Sequence, residues 1–231
     1  TFGIASYNNA NNLILTINTI NSAMKNFRKL KYEIIVVDDH SLDETEKKIR
    51  KFKGKNKSIR YFRNSINLGF PKSILKAAKK GKGTYFKILH SSNIESAKDL
   101  NIYVKNIEKY KLIIPYIIDT RIFFRRFLSK FSTIILNFFS GQNFKYYQSP
   151  LMCDRKKFIY FYPENNPGSF FLSTIIFRLS NFYNNEMIYE FGLKPKFKTG
   201  STAINFKNLI SLIFTILSIL NFRLRRFFNN L

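Results

Sequence analysis

Two neighbouring carboxylates, Asp38 and Asp39, have the clearest capacity for chemistry in this sequence. They follow the predicted strand Glu33–Val37, whose apolar run is typical of strands buried on both faces of a parallel sheet. Carboxylates at the end of a buried strand are costly unless another group pairs with them. A ligand that offers N–H donors or ribose hydroxyls would pair with them, and the structural alternative is that they cap the next helix.

Two arginines one helical turn apart, Arg121 and Arg125, form a second candidate site. They belong to the predicted helix Arg121–Ser140, which has polar residues on one side and phenylalanines on the other. A guanidinium group suits bidentate contact with a phosphate. The arginines either decorate a solvated face or bind a phosphate at a membrane surface, and the phenylalanine-rich face favours the membrane surface.

The charge of the chain limits its partners. Its 231 residues include 39 lysines and arginines against 14 acidic residues, a formal net charge of +25. Such a charge attracts nucleic acid, anionic lipid or phosphorylated substrates. Part of the excess follows from a composition rich in Lys, Asn, Ile and Phe, as AT-biased coding produces. Apolar residues make up 45% of the chain, which is enough for a core, and the single Cys153 excludes an intrachain disulfide.

Short β-rich runs alternate with helical patterns over the first half of the chain. Strands are predicted at Phe2–Ser6, Glu33–Val37, Ser58–Phe62, Thr84–Leu89 and Leu112–Tyr116, and helices at Asn11–Phe27, Asp43–Lys53, Pro71–Lys80 and Ala97–Glu108. This order predicts an α/β fold with a doubly wound, mostly parallel sheet. Ligands of such sheets bind at the carboxyl ends of the strands. The sequence contains no glycine-rich phosphate loop, zinc-ligand spacing or Ser-His-Asp arrangement.

The second half of the chain has longer apolar helices. Ser169–Leu179 is a helical candidate, and Leu209–Leu220 is almost wholly apolar between Lys207 and Arg223. Twelve residues are fewer than the ~20 that a spanning helix needs. A wide apolar face with basic ends favours a helix that lies in the membrane interface. The alternative is a core helix packed on the domain.

Two segments together carry a resemblance to a known family. Ala5–Asn9 and Val36–Thr45 resemble the P-[ST]-Y-N-E and V-V-D-D-G-S-x-D-x-T motifs of family 2 glycosyltransferases. The resemblance continues through Asn67–Gly69 and Gly83–Tyr85 and covers residues 1–120. It implies a GT-A fold, which is Rossmann-like, and a UDP- or GDP-linked sugar donor. The positions that it places in the nucleotide pocket are Ala5, Tyr7, Asn9, Asp38, Asp39 and Gly69.

The sequence departs from the family pattern at several of these positions. Ala5 replaces a proline, Asn9 a glutamate and His40 a glycine. After the strand that ends at Leu89, the family has a D-x-D motif that holds a divalent cation against the donor phosphates. Here that motif is replaced by His90-Ser91-Ser92, followed by Asn93.

Three interpretations of that loss remain open. In the first, Mg²⁺ or Mn²⁺ is held weakly, mainly by the donor phosphates. Ser92 and Asn93 are then the degenerate metal ligands, and Glu95 assists Asn93. Alternatively, nearby Lys or Arg residues replace the metal as the positive charge. In the third interpretation the chain is a degenerate member that binds nucleotide or a partner without turnover. The candidate catalytic residues are Ser92 and Asn93, together with Arg121, Arg125 and Ser129 of the second half.

The second half resembles the family members that use polyprenyl-phosphate acceptors, such as dolichyl-phosphate mannosyltransferase. The matching positions are Arg121, Arg125, Ser129, Tyr146–Ser149, Glu190 and Gly200–Thr202. The resemblance implies that Arg121, Arg125 and Ser129 hold a lipid phosphate at an anionic membrane surface. It also implies a peripheral location on the cytoplasmic face and a role in cell-envelope glycan synthesis. A phosphate oxygen is already an anion, so it can displace the nucleotide with inversion and without a strong general base.

These expectations divide the chain into three parts. Residues 1–118 are predicted to be the nucleotide-sugar-binding GT-A core, and residues 119–204 the acceptor-side portion of the same domain. Residues 205–231 are predicted to be a C-terminal interfacial helix. A basic nucleic-acid-binding protein ranks last among the functions considered, because no helix-turn-helix or RNA-binding aromatic motif is present, and nucleic acid is not an expected partner.

Overall fold

The computed structural model describes residues 1–54, 56–118, 123–164, 168, 170–196 and 206–229, with backbone alone at 124, 125, 206, 207 and 226–229. Its strands are β1 Phe2–Ser6, β2 Ile34–Asp38, β3 Ile59–Arg63, β4 Tyr85–His90, β5 Leu112–Ile117, β6 Met152–Asp154 and β7 Ile188–Leu193. Its helices are α1 Ala10–Met24, α2 Thr45–Lys53, α3 Phe70–Lys80, α4 Ala97–Asn106, α5 Phe123–Ser140, α6 Arg155–Tyr160, α7 Phe171–Phe182 and α8 Phe206–Asn229.

The strands form one seven-stranded sheet in the order β3-β2-β1-β4-β6-β5-β7. Only β6 runs antiparallel to its neighbours, and the other pairings are parallel. The predicted α/β fold with a mostly parallel sheet is therefore confirmed. The chain builds β2 and β3 on one side of β1 and then crosses to place β4 on the other side, so the order of the sheet reverses between β1 and β4.

The core lies in two layers, one on each face of the sheet. Ile34 and Val36 of β2 face one layer together with α1 and α4, whereas Ile35 and Val37 face the other together with α3 and α7. This alternation along one strand is the pleat of a sheet that is covered on both sides. The sheet is thereby buried on both faces, and the loops at the carboxyl ends of its strands are left to form a site.

The structure adds elements that the sequence patterns did not reveal. Strand β6 has three residues, too few to show an alternation. Strand β7 pairs in parallel with β5 over its whole length, although its sequence Ile188–Leu193 includes Glu190 and Gly192. Helix α8 extends well beyond the predicted Leu209–Leu220, because neither glycine nor proline interrupts the segment on either side.

Candidate functional site

The reversal of the sheet between β1 and β4 opens a crevice of the kind in which α/β proteins bind ligands. The Asn9 side chain bridges this crevice, since its Nδ2 donates to Ser91 Oγ at 3.1 Å and to Ser92 Oγ at 3.5 Å. On the other side of β1, the Asn8 backbone N–H donates to Ser41 Oγ at 3.0 Å. The loops that follow β1, β2 and β4 are therefore tied into one unit, and Asn9 and Ser92 meet there.

Each of these loops contains a residue in the left-handed backbone region. The described non-glycine residues with positive φ are Asn8 at 47°, His40 at 66° and Asn93 at 52°. Such conformations cost about 1–3 kcal/mol each and cluster at functional sites. They also explain why the resemblance places glycine at the position of His40, since glycine adopts this conformation without a steric penalty.

Asp39 is paired by the protein itself. Its Oδ1 accepts hydrogen bonds from Asn64 Nδ2 at 2.7 Å, the Leu68 N–H at 2.9 Å and Ser73 Oγ at 3.0 Å. Its Oδ2 accepts from the Gly69 N–H at 2.7 Å. The carboxylate is 3% exposed, and these bonds offset the cost of its burial. Asp39 thus fixes the loop that leads into α3, including Gly69 with its φ of 83°.

Asp38 is also paired within the chain. It is fully buried, and its Oδ1 accepts from the Ser41 N–H at 2.9 Å while its Oδ2 accepts from the Tyr61 hydroxyl at 2.7 Å. Arg63 Nη1 lies 3.9 Å from the same Oδ2. Burial and this hydrogen bond raise the pKa of Tyr61. The two acids therefore do not need a ligand to pair them, and their place in a nucleotide pocket stays a prediction.

The other predicted donor contacts differ in exposure. Ala5 is 7% exposed and packs in the core, whereas Tyr7 is 49% exposed at the carboxyl end of β1. The described structure contains a large cavity, and its lining includes none of Ala5, Tyr7, Asp38, Asp39 and Gly69. A nucleotide that contacted these residues would therefore lie outside the wall of that cavity.

The cavity itself has a volume of about 600 Å³ and lies below the carboxyl ends of β4, β5 and β7. Most of its wall is apolar, with Phe70, Pro115 and Phe171 among the lining residues. The polar and titratable side chains in the wall are Thr16, Thr19, His90, Asn93, Glu95, Tyr146 and Gln148. A mostly apolar cavity with a few polar groups is the usual form of a small-molecule site.

His90 stands at the position where the resemblance places the first aspartate of the D-x-D motif. Its ring stacks on Phe70, with the ring centroids 4.4 Å apart and the planes 10° from parallel. Burial lowers the pKa of His90 to about 4, and the positive charge of Lys87 adds to the shift. The side chain is therefore neutral near pH 7 and supplies neither the negative charge of an aspartate nor a positive charge of its own.

A buried ion pair lies directly beneath this loop. Lys87 Nζ donates to Glu95 Oε1 at 2.9 Å and to Pro150 O at 2.8 Å, and it lies 3.9 Å from the centre of the Tyr103 ring. Burial lowers the pKa of Lys87 to about 8, against the attraction of Glu95, and burial raises the pKa of Glu95. Glu95 Oε2 is buried, and a hydrogen bond with Tyr103 acts against the rise in the pKa of Glu95.

A second ammonium group reaches the same loop from a distant part of the chain. Lys196 Nζ donates to Asn93 Oδ1 at 2.9 Å and to Thr19 Oγ1 at 3.3 Å, and its backbone N–H donates to Ile94 O at 3.0 Å. Thr19 Oγ1 also donates to Asn93 Oδ1, at 2.9 Å. Burial lowers the pKa of Lys196, while Asp99 and Glu95 favour its charged form.

The side chains of this loop do not suit Mg²⁺ or Mn²⁺ as ligands, because these hard cations favour anionic oxygen atoms. Asn93 Oδ1 already accepts from Thr19 and Lys196, and Glu95 Oε1 accepts from Lys87. A divalent cation on Ser92 and Asn93 would therefore lie close to an ammonium group. Among the described residues, no group of three or more His, Cys, Asp or Glu side chains could hold a metal.

The helices beyond β5 turn an apolar surface outward. On α5 the exposed side chains include Phe123, Phe127, Phe131, Ile134 and Phe138. On α8 they include Leu209, Ile213, Phe214, Leu217 and Leu224. The two helices pack together, and Arg223 Nη1 donates to Phe139 O at 2.8 Å. We call these two rows of side chains the outer apolar surface.

Polar side chains of α8 face the domain instead of the outside. Ser211 and Thr215 are 3% and 0% exposed, and Ser211 Oγ accepts from the Phe170 N–H at 3.1 Å. By length and composition, the window Asn208–Arg225 could cross a membrane, and 17% of it is buried. Because its polar side chains bond to the domain, the helix is attached lengthwise to the protein.

The predicted acceptor residues are only partly described. Ser129 lies half-buried on α5, Arg125 lies in α5 with its backbone alone described, and Arg121 lies outside the described residues, as does Gly200–Thr202. Glu190 Oε1 accepts from the Lys145 N–H at 2.9 Å, and burial raises the pKa of Glu190.

The segment between α5 and β6 connects the outer apolar surface to the cavity. Asn137 of α5 accepts from the Phe144 N–H and donates to the Phe144 carbonyl, both at 3.0 Å, and accepts from the Tyr147 hydroxyl at 2.8 Å. Tyr146 and Gln148, which flank that tyrosine, line the cavity. The helix and the cavity wall are therefore joined by three hydrogen bonds.

Two lysines of the site, Lys87 and Lys196, differ in whether the sequence reveals them. Lys87 interrupts an apolar strand, and a lysine in such a place needs a buried partner, which Glu95 supplies eight residues later. No local pattern marks Lys196, since its contacts are with residues far away in the sequence.

Solved structures with the same fold include glucosyl-3-phosphoglycerate synthase from Mycobacterium tuberculosis. Its complex with Mn²⁺, UDP and phosphoglyceric acid is similar with a TM-score of 0.72 at 14% identity, over 95% of this chain and 77% of that chain. Its complex with Mn²⁺ and UDP-glucose gives 0.67 at 14% identity, over 95% and 78%. At this identity the similarity shows a shared fold.

Sequence comparison identifies the family. A stretch of 96 residues is 32% identical to an uncharacterized glycosyltransferase of Mycoplasma genitalium and covers 40% of this chain and 32% of that protein. The match thus spans about a third of the length of that relative. Residues 1–165, well over half of the 231, match the family described as Glycosyl transferase family 2. The chain therefore belongs to glycosyl transferase family 2.

Proposed function

We propose that this chain transfers a sugar from a nucleotide-sugar donor to a lipid-phosphate acceptor, a polyprenyl phosphate, at a membrane surface. Family membership supports the donor half of this proposal. The solved relatives of the same fold were crystallised with UDP and UDP-glucose, which favours a uridine nucleotide over a guanosine nucleotide.

The outer apolar surface carries the acceptor half of the proposal. Two adjacent helices that expose rows of phenylalanine and leucine, with Arg126 and Lys130 on α5 and Arg223 and Arg225 on α8, match a surface that lies in a lipid headgroup layer. The same helices support the cavity, because α5 bonds to the segment with Tyr146 and Gln148 and α8 packs on α7. A lipid-borne phosphate would thus be presented close to the donor.

The three parts of the chain have separate roles in this proposal. Residues 1–118 bind the nucleotide sugar, residues 119–204 bind the acceptor, and residues 205–231 anchor the protein as a peripheral protein on the cytoplasmic face. The acceptor phosphate is held by Arg121, Arg125 and Ser129. Its oxygen attacks the anomeric carbon from the side opposite the nucleotide, so the configuration of that carbon is inverted.

The test is a transfer assay with the full chain and vesicles that contain a prenyl phosphate. UDP- and GDP-linked sugars labelled in the sugar are supplied in turn, and the label is followed into the lipid extract. We expect lipid-linked label with one donor, and none when the prenyl phosphate is replaced by the free prenol. Transfer to phosphoglyceric acid in place of the lipid would contradict the proposed acceptor.

The second candidate is a family member that binds nucleotide without turnover, and the absence of carboxylates at His90, Ser92 and Asn93 favours it. Titration calorimetry with UDP and GDP separates the two functions. Tight nucleotide binding together with no transfer to prenyl phosphate or to phosphoglyceric acid would support the second candidate.

A further inference from the structure

Lys196 places an ammonium group at the loop where related enzymes have metal-binding carboxylates. We propose that Lys196 takes over the role of the divalent cation: it binds the diphosphate of the donor and stabilises the negative charge that develops when the nucleotide leaves. This inference rests on the proposed donor binding and specifies how the chain carries it out without D-x-D carboxylates.

Three hydrogen bonds fix the position of Lys196. Its backbone N–H bonds to Ile94 O, and its Nζ bonds to Asn93 on the loop after β4 and to Thr19 on α1. Asn93 and Thr19 both line the cavity, as does the neighbouring Pro195. The ammonium is therefore bonded to two residues of the cavity wall, next to the loop at the carboxyl end of β4 and beside the reversal of the sheet.

The ammonium group retains bonding capacity for a ligand. It has three N–H donors, and the bonds to Asn93 and Thr19 use two of them, which leaves one donor that no described residue takes. Lys196 is an exposed residue, so a ligand can reach it from solvent. A lysine with a free N–H at such a place is a point-charge phosphate ligand of the kind that other phosphate sites use.

The surrounding charges favour an ammonium over a metal ion. Lys196 already occupies the Asn93 oxygen, and Lys87 neutralises one oxygen of Glu95 in the same wall. A loop without the carboxylates and with a lysine beside it is more positive than a D-x-D loop. Binding of a metal cation to the carboxylates would make a D-x-D loop more positive as well. The positive charge is thereby built into the chain.

The step that Lys196 would assist balances without a further reactant. A lone pair on the acceptor phosphate oxygen forms the bond to the anomeric carbon while the bond from that carbon to the β-phosphate oxygen breaks. The electron pair of the broken bond stays on the nucleoside diphosphate, which gains one negative charge, and the acceptor phosphate loses one. A preorganised cation beside the leaving oxygen lowers the barrier because the charge increases there in the transition state.

The test measures binding of UDP, GDP, uridine and guanosine to the full chain by titration calorimetry, in a chelator and in Mn²⁺. We expect the diphosphate that binds to bind equally well in the chelator and in Mn²⁺. Lys196→Gln should weaken diphosphate binding by about tenfold and leave binding of the matching nucleoside unchanged. Lys196→Arg should retain most of the affinity, because it keeps the charge.

Lys194→Gln is the matched control, since Lys194 is an exposed lysine on the same segment, and it should bind like the wild type. Loss of diphosphate binding in the chelator, or a Lys196→Gln variant with the wild-type affinity, would overturn the role of Lys196 and leave the proposed function intact. A wild-type chain that binds none of the four compounds under either condition would instead refute the donor binding on which both proposals rest.

Discussion

His90 illustrates how one side chain changes the chemistry of a loop. It stands where the resemblance to family 2 places an aspartate, yet it stacks on Phe70 and its pKa is lowered to about 4, mainly by burial. A neutral aromatic ring at this position removes a negative charge and adds packing. The loop after β4 therefore lacks the negative charge that an aspartate at this position would supply.

This pKa shift makes stability depend on pH in a defined window. The unfolded chain protonates His90 near its ordinary value of 6.5, whereas the folded chain does so only near 4. Between these values the unfolded state binds more protons, so folding loses stability as the pH falls from about 6.5 to about 4. His90→Phe keeps the stacking and removes the titration. Over that window its free energy of unfolding should therefore fall by up to about 3 kcal/mol less than that of the wild type.

Urea unfolding of the wild type and of His90→Phe at a series of pH values measures the difference. The free energies of unfolding of the two proteins should run parallel above the window and diverge within it. Parallel curves down to the lower end would show that His90 accepts a proton as easily in the folded chain as in the unfolded one.

At the scale of the element, α5 and α8 expose rows of apolar side chains on their outer side in addition to those that they pack on the core. Ser211 and Thr215 of α8 are buried against the domain, while Leu217 and Phe214 are about half exposed. A helix that lies on a globular protein in water normally has its apolar side inward. The arrangement is the one expected where the outer side meets lipid.

Removing part of the outer apolar surface should therefore weaken membrane binding. We expect Phe127→Ser combined with Phe131→Ser to reduce binding to anionic vesicles at least about tenfold, since burying one phenylalanine contributes about 1.5–3 kcal/mol. Vesicle flotation measures the bound fraction, and thermal unfolding verifies that the exposed substitutions leave the fold intact.

The matched control changes two other exposed apolar side chains. Leu42→Ser combined with Ile66→Ser alters residues that are 78% and 61% exposed in the loops after β2 and β3. This variant should bind vesicles like the wild type. Equal weakening by both double variants would mean that exposed apolar residues act anywhere on the chain and that α5 has no special part.

At the scale of the whole molecule, a net charge of +25 and the outer apolar surface act together. Charge attracts the chain to any polyanion, but only a lipid layer also takes up exposed phenylalanine and leucine. The two contributions respond differently to salt, because screening weakens the attraction between charges and leaves the burial of apolar surface in place.

Salt titration should thus separate a membrane partner from nucleic acid. The Debye length falls to about 3 Å at about 1 M salt. We expect binding to duplex DNA to disappear as salt rises, with the steep logarithmic dependence of phosphate contacts. Binding to anionic vesicles should fall to a plateau and persist. Complete release from vesicles at high salt would show that charge alone holds the chain to lipid.

The sequence and the structure agree where the information is local. Apolar runs and turn residues predict β1 to β5 and the helices between them, because each pattern lies within a few neighbouring residues. The three-residue strand β6 has no such pattern and forms only because β4 and β5 supply its partners. The same limit applies to the site: Asp39 is easily found, but its four internal hydrogen bonds depend on Asn64, Leu68, Gly69 and Ser73.

The hydrogen bonds from Asn137 to Phe144 and Tyr147 have a mechanical consequence. They join α5, which carries part of the outer apolar surface, to the segment whose Tyr146 and Gln148 line the cavity. A tilt of α5 on a lipid layer would change the width of the cavity entrance. In the proposed membrane-bound state, contact of α5 with the bilayer and the position of the cavity wall would then be coupled.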